Sequence, residues 1–397
     1  MQLFNDTSFF FWAGALSLPA FLLGILEKPI RYYGGLVTLI FLWLAMGKNL
    51  PALGWLAGFT VGEYVLIRAY LHARRTKGRQ TAVYRLVLFL SILPQILYKI
   101  LRLWGNPHHI FAFLGLSYLT FKAAQMVIEI YDGLIEEAPA FDFFYLMLFF
   151  PDITSGPIDR SRRFSEDIHR RISRQEYLDM AGYGVFRFLQ GMVYKQVVAA
   201  LFYTVMSWFG MDRSLGSILL YMYAYGFYLF FDFAGYSSMA VGISYVFGVK
   251  TPENFRAPFV SKDMKEFWDR WHITLSHWFR DFIFTRVMMV LTRRRVGKDK
   301  LTRASLAFLI NMGIMGLWHG LSPCYIIYGL YHGVLLSLTE VLQKKWKFYK
   351  KHKKDRWFIW TERIITFHLV MFGFLIFSNH LHELAQTPQK GDLLNGR

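Results

Sequence analysis

Long stretches without a formal charge constrain this chain more than any other feature. Thr7 to Leu26 is twenty consecutive residues lacking Asp, Glu, Lys and Arg, the length at which a helix crosses a hydrocarbon core of about 30 Å. Tyr32–Gly47, Asn49–Gly62, Leu103–Phe121, Gln196–Met211, Ser214–Phe231, Phe233–Val249 and Ile364–His382 are further uncharged runs. Ala304–Thr339 extends the pattern to 36 residues, enough for two spans with a break at Gly320 and Ser322-Pro323. The first run has no basic region before it and is followed by more spans, so it does not read as a signal peptide. The expected fold is all-α, a polytopic membrane protein of ten or eleven spans. Residues 1–384 would form one membrane domain and 385–397 a disordered tail.

Composition agrees, with one tension. Hydrophobic residues make up 54% and charged residues only 18%, against about 25% charged in soluble domains. Aromatics at 19% exclude a disordered chain. Yet the formal net charge is +18. Four loops explain it: 74–85, 159–176, 286–303 and 344–356 hold 26 basic and six acidic residues. The positive-inside rule places all four on the cytoplasmic side, which puts the N-terminus outside. The run 344–356 therefore reads as a topology signal or an anionic-lipid contact rather than a nucleic-acid patch. The lone Cys324 excludes an internal disulfide framework and a cysteine-based zinc site.

Two stretches do not thread as spans. Phe141–Phe150 is too short, and Lys250–Arg280 mixes Trp268, Trp271 and Trp278 with charges. Both read as re-entrant or interfacial helices, which at membrane depth are tolerated only where they are buried in protein or line a wet cavity. No internal repeat is visible, which argues against many transporter folds.

Histidines are the residues in these runs best suited to proton transfer near neutral pH. His319 lies in Gly316-Leu-Trp-His-Gly320, inside the longest uncharged run. An ionisable group there is a functional candidate by default; the alternative is a neutral, hydrogen-bonded bundle histidine. Trp268, His272 and Ser276 share one face if their segment is a continuous helix, although an aromatic interfacial helix fits the same spacing. Asp232 interrupts an otherwise uncharged stretch and could orient a base, bind a cation or cap a helix broken at Gly235. His332 and His368 read as satisfied helix histidines, and His277 as a surface residue. No phosphate-cradling glycine loop and no HExxH-type metal spacing occurs.

Three motifs, in order, carry a family resemblance. Phe149-Phe-Pro-Asp-Ile-Thr-Ser-Gly-Pro-Ile-Asp-Arg160 resembles the FFP…GP signature of membrane-bound O-acyltransferases. Phe267-Trp-Asp-Arg-Trp-His-Ile-Thr-Leu-Ser276 resembles the family's FW.RWHISLS segment, and Met315-Gly-Leu-Trp-His-Gly320 its histidine motif. The likeness covers roughly residues 100–380. The SGPIDR wording, followed by Arg162-Arg163-Phe164, and the short chain are more similar to members that transfer D-alanine in Gram-positive envelopes than to alginate O-acetylases.

The resemblance implies a ring of helices around a thin partition, with His319 as the catalytic histidine and His272 as a second family histidine. Trp268, Ser276, Trp318 and Asp232 become candidate substrate contacts. It implies no tightly bound cofactor and no metal. The donor would be D-alanine held as a thioester on the phosphopantetheine arm of a small acidic carrier protein. The acceptor would be lipoteichoic acid, reached directly or through small membrane partners of the same pathway. Arg286, Val287, Met288, Met289, Val290, Arg293, Arg294 and Arg295 combine adaptable apolar contacts with positive charge and are the expected carrier-docking surface. Two other readings stay open here: O-acetylation of an exported polysaccharide, and a transporter or flippase using the same cavity.

Overall fold

The computed structural model describes residues 1–103 and 113–386. Every regular element among them is helical, apart from an isolated bridge between Phe255 and Trp271. Among the described residues, seven helices are long and apolar enough to cross a membrane: Thr7–Ile25, Leu50–Lys77, Thr81–Leu103, Leu215–Val246, Lys300–His319, Pro323–Lys345 and Arg356–Phe377. Arg31–Met46 is apolar but shorter. No more than a third of the most apolar window of any span is buried. Phe11, Leu18, Leu36, Ile364 and many others stand more than half exposed. A surface of this kind suits lipid, where each helix satisfies its backbone internally.

The runs Ser214–Phe231 and Phe233–Val249 join into one helix, Leu215–Val246, so no break occurs at Gly235 for Asp232 to cap. Asp232 is instead ion-paired with Lys195. The Leu103–Phe121 run falls partly outside the described residues, as does all but the start of the tail expected from 385 on; Ala385 and Gln386 end a short helix, His380–Gln386. The short stretch Phe141–Phe150 forms the nine-residue helix Ala140–Leu148 and a tight turn at Phe150–Asp152.

The described chain separates into two compact units. One comprises residues 1–192 and 235–253; the other comprises 193–234 and the chain from 254 on. In the first, Leu116–Asp132 is buried on nearly every side. Lys122, 1% exposed, lies inside it and donates from Nζ to the Leu146 carbonyl at 2.8 Å. Asp152 and Asp159, equally buried, are close enough to act on it electrostatically. Arg163 pairs with Asp159 and, at 2.7 Å, with Asp167. Burial pushes both Asp152 and Asp159 above the usual carboxylate range, opposed chiefly by Lys122 at Asp152 and by Arg163 at Asp159. Gly156 packs so closely that a Cβ there would lie 2.7 Å from the Asp152 Cα. The FFP…GP stretch is thus the edge of a buried ionic cluster, walled by Phe149, Phe150 and Phe164.

In the second unit the dominant feature is a helical hairpin, Lys300–His319 and Pro323–Lys345. Asp299 caps the first helix by accepting from the Thr302 amide at 2.7 Å. The turn falls at Gly320–Ser322, with Pro323 in the first turn of the second helix, where its missing N–H costs nothing. Gly316 and Gly329 bring the two backbones together. A Cβ on Gly316 would meet the Tyr325 carbonyl at 2.4 Å, and one on Gly329 the Met312 carbonyl at 2.3 Å.

Candidate active site

The hairpin decides where His319 stands. It is the last residue of its helix, half-buried, with its own turn closed by the Gly320 amide donating to the Gly316 carbonyl at 3.2 Å. Its ring is surrounded by aromatic faces: Trp318 at 4.5 Å between centroids, Phe377 at 5.1 Å and edge-on, Tyr328 at 6.1 Å and Tyr325 at 6.2 Å. Phe377 ends the helix Arg356–Phe377, so three spans supply the enclosure. An imidazole held this way keeps partial access between aromatic faces.

His272 reaches its position differently. The expected continuous face of Trp268, His272 and Ser276 does not exist, because the chain breaks between two short helices, Met264–Trp268 and Ile273–Phe279. His272 sits at the junction in the left-handed conformation (φ 43°), a region where a non-glycine residue is worth a functional question. Asn254 fixes the break. Its carbonyl accepts from the Ile273 amide at 2.9 Å, and its side-chain oxygen accepts from the Thr274 hydroxyl at 2.6 Å. The Arg256 amide donates to the Arg270 carbonyl at 3.0 Å alongside. The mixed aromatic and charged segment therefore folds as a strapped loop, which helical periodicity could not foretell.

The His272 ring is 4% exposed and lies edge-on to Phe233 at 4.6 Å. Its Nε2 is buried with no hydrogen-bond partner among the described residues. Burial, reinforced by the neighbouring charge of His319, holds its pKa far below the ordinary imidazole range, at about 3. His272 is therefore neutral at physiological pH, and it is within electrostatic reach of His319. An uncharged imidazole with a free ring nitrogen can donate or accept one hydrogen bond from a bound group.

His332 departs from expectation. Rather than a satisfied helix histidine, it is fully buried with neither ring nitrogen hydrogen-bonded among the described residues. Tyr328, one turn earlier on the same helix, packs edge-on against it at 4.5 Å, and Trp268 at 5.2 Å. Tyr328 is thus a wall shared by His332 and His319, and Trp268 a wall of His332. The one available signal was the Tyr328–His332 spacing inside the uncharged run. His368, by contrast, meets the Tyr223 hydroxyl at 2.8 Å. Ser276 is half-buried in the second short helix, and Asp232 is occupied by Lys195.

The arginine and methionine residues lie on Thr285–Arg293 and just beyond it. None of that helix is buried; Met289 and Val290 are 44% and 49% exposed, and Arg293, Arg294 and Arg295 stand in the open. Arg286 turns back over the Phe282 ring.

Comparison with known proteins decides the family. The model of MBOAT, the membrane-bound O-acyltransferase family, matches residues 41–380. The chain belongs to the membrane-bound O-acyltransferase family. It is accordingly a multi-pass membrane protein and an O-acyltransferase. Relatives include the teichoic acid D-alanyltransferase of Bacillus subtilis, 41% identical over 95% of this chain and 98% of the relative. The enzyme of the same name from Streptococcus thermophilus is 38% identical over 98% of both. A probable alginate O-acetylase of Pseudomonas syringae is 33% identical, but the match covers 69% of this chain and 50% of that protein.

Proposed function

We propose that this O-acyltransferase moves D-alanine from a carrier-protein thioester to hydroxyl groups of lipoteichoic acid. The observation that carries the reading is end-to-end similarity to teichoic acid D-alanyltransferases, against a half-length match to the acetylase. The donor's phosphopantetheine thioester is already activated, so positioning and proton transfer supply the chemistry. Positioning alone contributes roughly 7–11 kcal/mol of barrier reduction in favourable cases.

His319 acts as general base. It takes the proton of the acceptor hydroxyl as that oxygen attacks the thioester carbonyl. The C–O bond forms, the C–S bond breaks, and the imidazolium returns the proton to the departing thiolate. His272, kept neutral by burial, offers its free ring nitrogen to the thioester carbonyl or to the pantetheine arm. Trp268, Trp318 and Ser276 border the bound groups. Asp232 serves this site only through Lys195, as a positioning pair.

The donor approaches from the cytoplasmic side, where the basic loops lie, and the N-terminus lies outside. The carrier docks on Arg286–Val290 and Arg293–Arg295, pairing arginines with an acidic surface around exposed Met289 and Val290. Small membrane partners of the pathway can relay the acyl group to lipoteichoic acid. The test is reconstitution in vesicles with radiolabelled D-alanyl carrier protein. Label should leave the thioester only when the enzyme and an acceptor are present; label that crosses the membrane still on its carrier, or as free D-alanine, would support a transporter instead.

Docking makes a separate prediction. Reversing Arg293, Arg294 and Arg295 to Glu should weaken carrier binding at least tenfold at low salt and flatten its salt dependence. Unchanged affinity at both low and high salt removes this helix end from the interface.

A further inference from the structure

A groove in the second unit, with none of the histidines in its wall, runs between Pro323–Lys345 and Arg356–Phe377. It encloses about 380 Å³ and is walled by Leu335, Leu338, Leu342, Phe358, Ile365 and Leu369. Its threonines are turned to their own backbone or a neighbour's: Thr339 donates to the Leu335 carbonyl, Thr361 to Trp357 and Thr366 to Lys262, at 2.8–3.0 Å. The wall is therefore apolar in effect. From Leu335 to Trp346 the helix rises about 16 Å, close to half of the roughly 30 Å hydrocarbon core. The groove thus has the length of one leaflet.

One end of the groove is polar and basic. Trp346, Phe348 and Trp357 form an aromatic rim, each 43–53% exposed, of the kind that marks a headgroup level. Around this rim the segment 344–356 carries eight exposed cations and one acid, Asp355, which is bound to His352. Lys344 is paired with Glu340; the rest extend the positive shelf, and Lys262 lines the groove itself beside Asp263, whose carboxylate is taken up by the Lys265 and Glu266 amides and by Gln343. Glu362 also lines it, with Oε2 buried and lacking a hydrogen-bond partner among the described residues. Such an acceptor needs a donor from whatever occupies the groove.

We infer that this groove is a binding site for one anionic phospholipid of the cytoplasmic leaflet, with a headgroup that carries a hydroxyl. Acyl chain lies against the leucines, phosphate meets the lysine shelf, and a headgroup hydroxyl donates to Glu362. The three features match the three parts of one molecule. An acidic protein would use the lysines but would not need a leaflet-long apolar channel beneath them. This site is independent of the acyl-transfer reading.

The test is native mass spectrometry of the purified full chain after exposure to equal amounts of phosphatidylglycerol and phosphatidylcholine with matched acyl chains. The wild type should retain phosphatidylglycerol at least tenfold over phosphatidylcholine. Replacing Lys350, Lys351, Lys353 and Lys354 by Gln should remove most of that preference, since each such charge near a membrane surface is worth several-fold in affinity. Leu338→Trp, which fills the groove from an exposed position, should lower retention of both lipids; Glu362→Ala should lower phosphatidylglycerol alone. Equal retention of the two lipids by the wild type overturns the assignment. So does phosphatidylglycerol retention that survives both the lysine and the Leu338 changes in variants that elute as the wild type does. Displacement by excess inorganic phosphate would show a simple anion site instead. Intact lipid retention in the lysine variant, with lost binding of a soluble acidic protein, would make this a protein surface and sink the lipid assignment.

Discussion

Replacing His319 by Ala is expected to cut acyl transfer by about 10²–10⁴-fold, the usual contribution of a positioned general base. The protein should remain in the membrane at near-normal amount, because the ring is half-buried at a helix end rather than deep in the core. The measurement is the single-turnover rate of label transfer in reconstituted vesicles, beside a blot of the membrane fraction. Near-normal transfer with normal membrane content would remove His319 from the base role. His272 provides the contrast. It carries no charge between pH 5 and 8, since its pKa is held near 3. His272→Gln keeps one hydrogen-bonding group and should lower the rate less than His319→Ala. It should also leave the acid limb of the pH–rate profile where it was. A shifted acid limb in that variant would mean that His272, not His319, supplies the titrating base.

The second large effect concerns folding. Lys122→Met should destabilise the protein by about 3–5 kcal/mol, the range for removing one member of a buried ionic cluster. Lys122 is one of the cations that act on the buried Asp152, whose other compensating groups are the Thr251 hydroxyl at 3.5 Å and Arg163, already engaged by two other aspartates. Methionine fills the space yet leaves that carboxyl poorly compensated. The readout is thermal unfolding in detergent, with the double variant Lys122→Met/Asp152→Asn as control. The double variant should recover a large part of the loss, because both the cation and its uncompensated anion are gone. Equal destabilisation in single and double variants would show that Lys122 acts by packing alone. The FFP…GP signature supplies two members of this buried charge cluster, Asp152 and Asp159, both in the first unit.

Solvent and class of fold could be read from the residues alone. Uncharged runs of about twenty residues can only be satisfied as helices in lipid, and charge gathered in four loops needed no coordinates to be seen. His319 was also marked, because an ionisable group inside an uncharged run stands out whatever it touches. The hairpin around it was legible too, from Gly320 and Ser322-Pro323 as breakers. Tertiary structure decided what depends on distant partners. Asp232 looked like an orienting group until Lys195, 37 positions away, claimed it. Trp268, His272 and Ser276 looked like one helical face, but Asn254 captures the Ile273 and Thr274 amides and breaks the helix between them. His332 looked ordinary, although aromatic rings from the remote helix Met264–Trp268 and from its own helix seal it without a hydrogen-bond partner among the described residues. Periodicity reports how neighbours along the chain share a face. It carries no record of which remote donor or charge will compete for the same atoms, and in this protein that competition shaped the site.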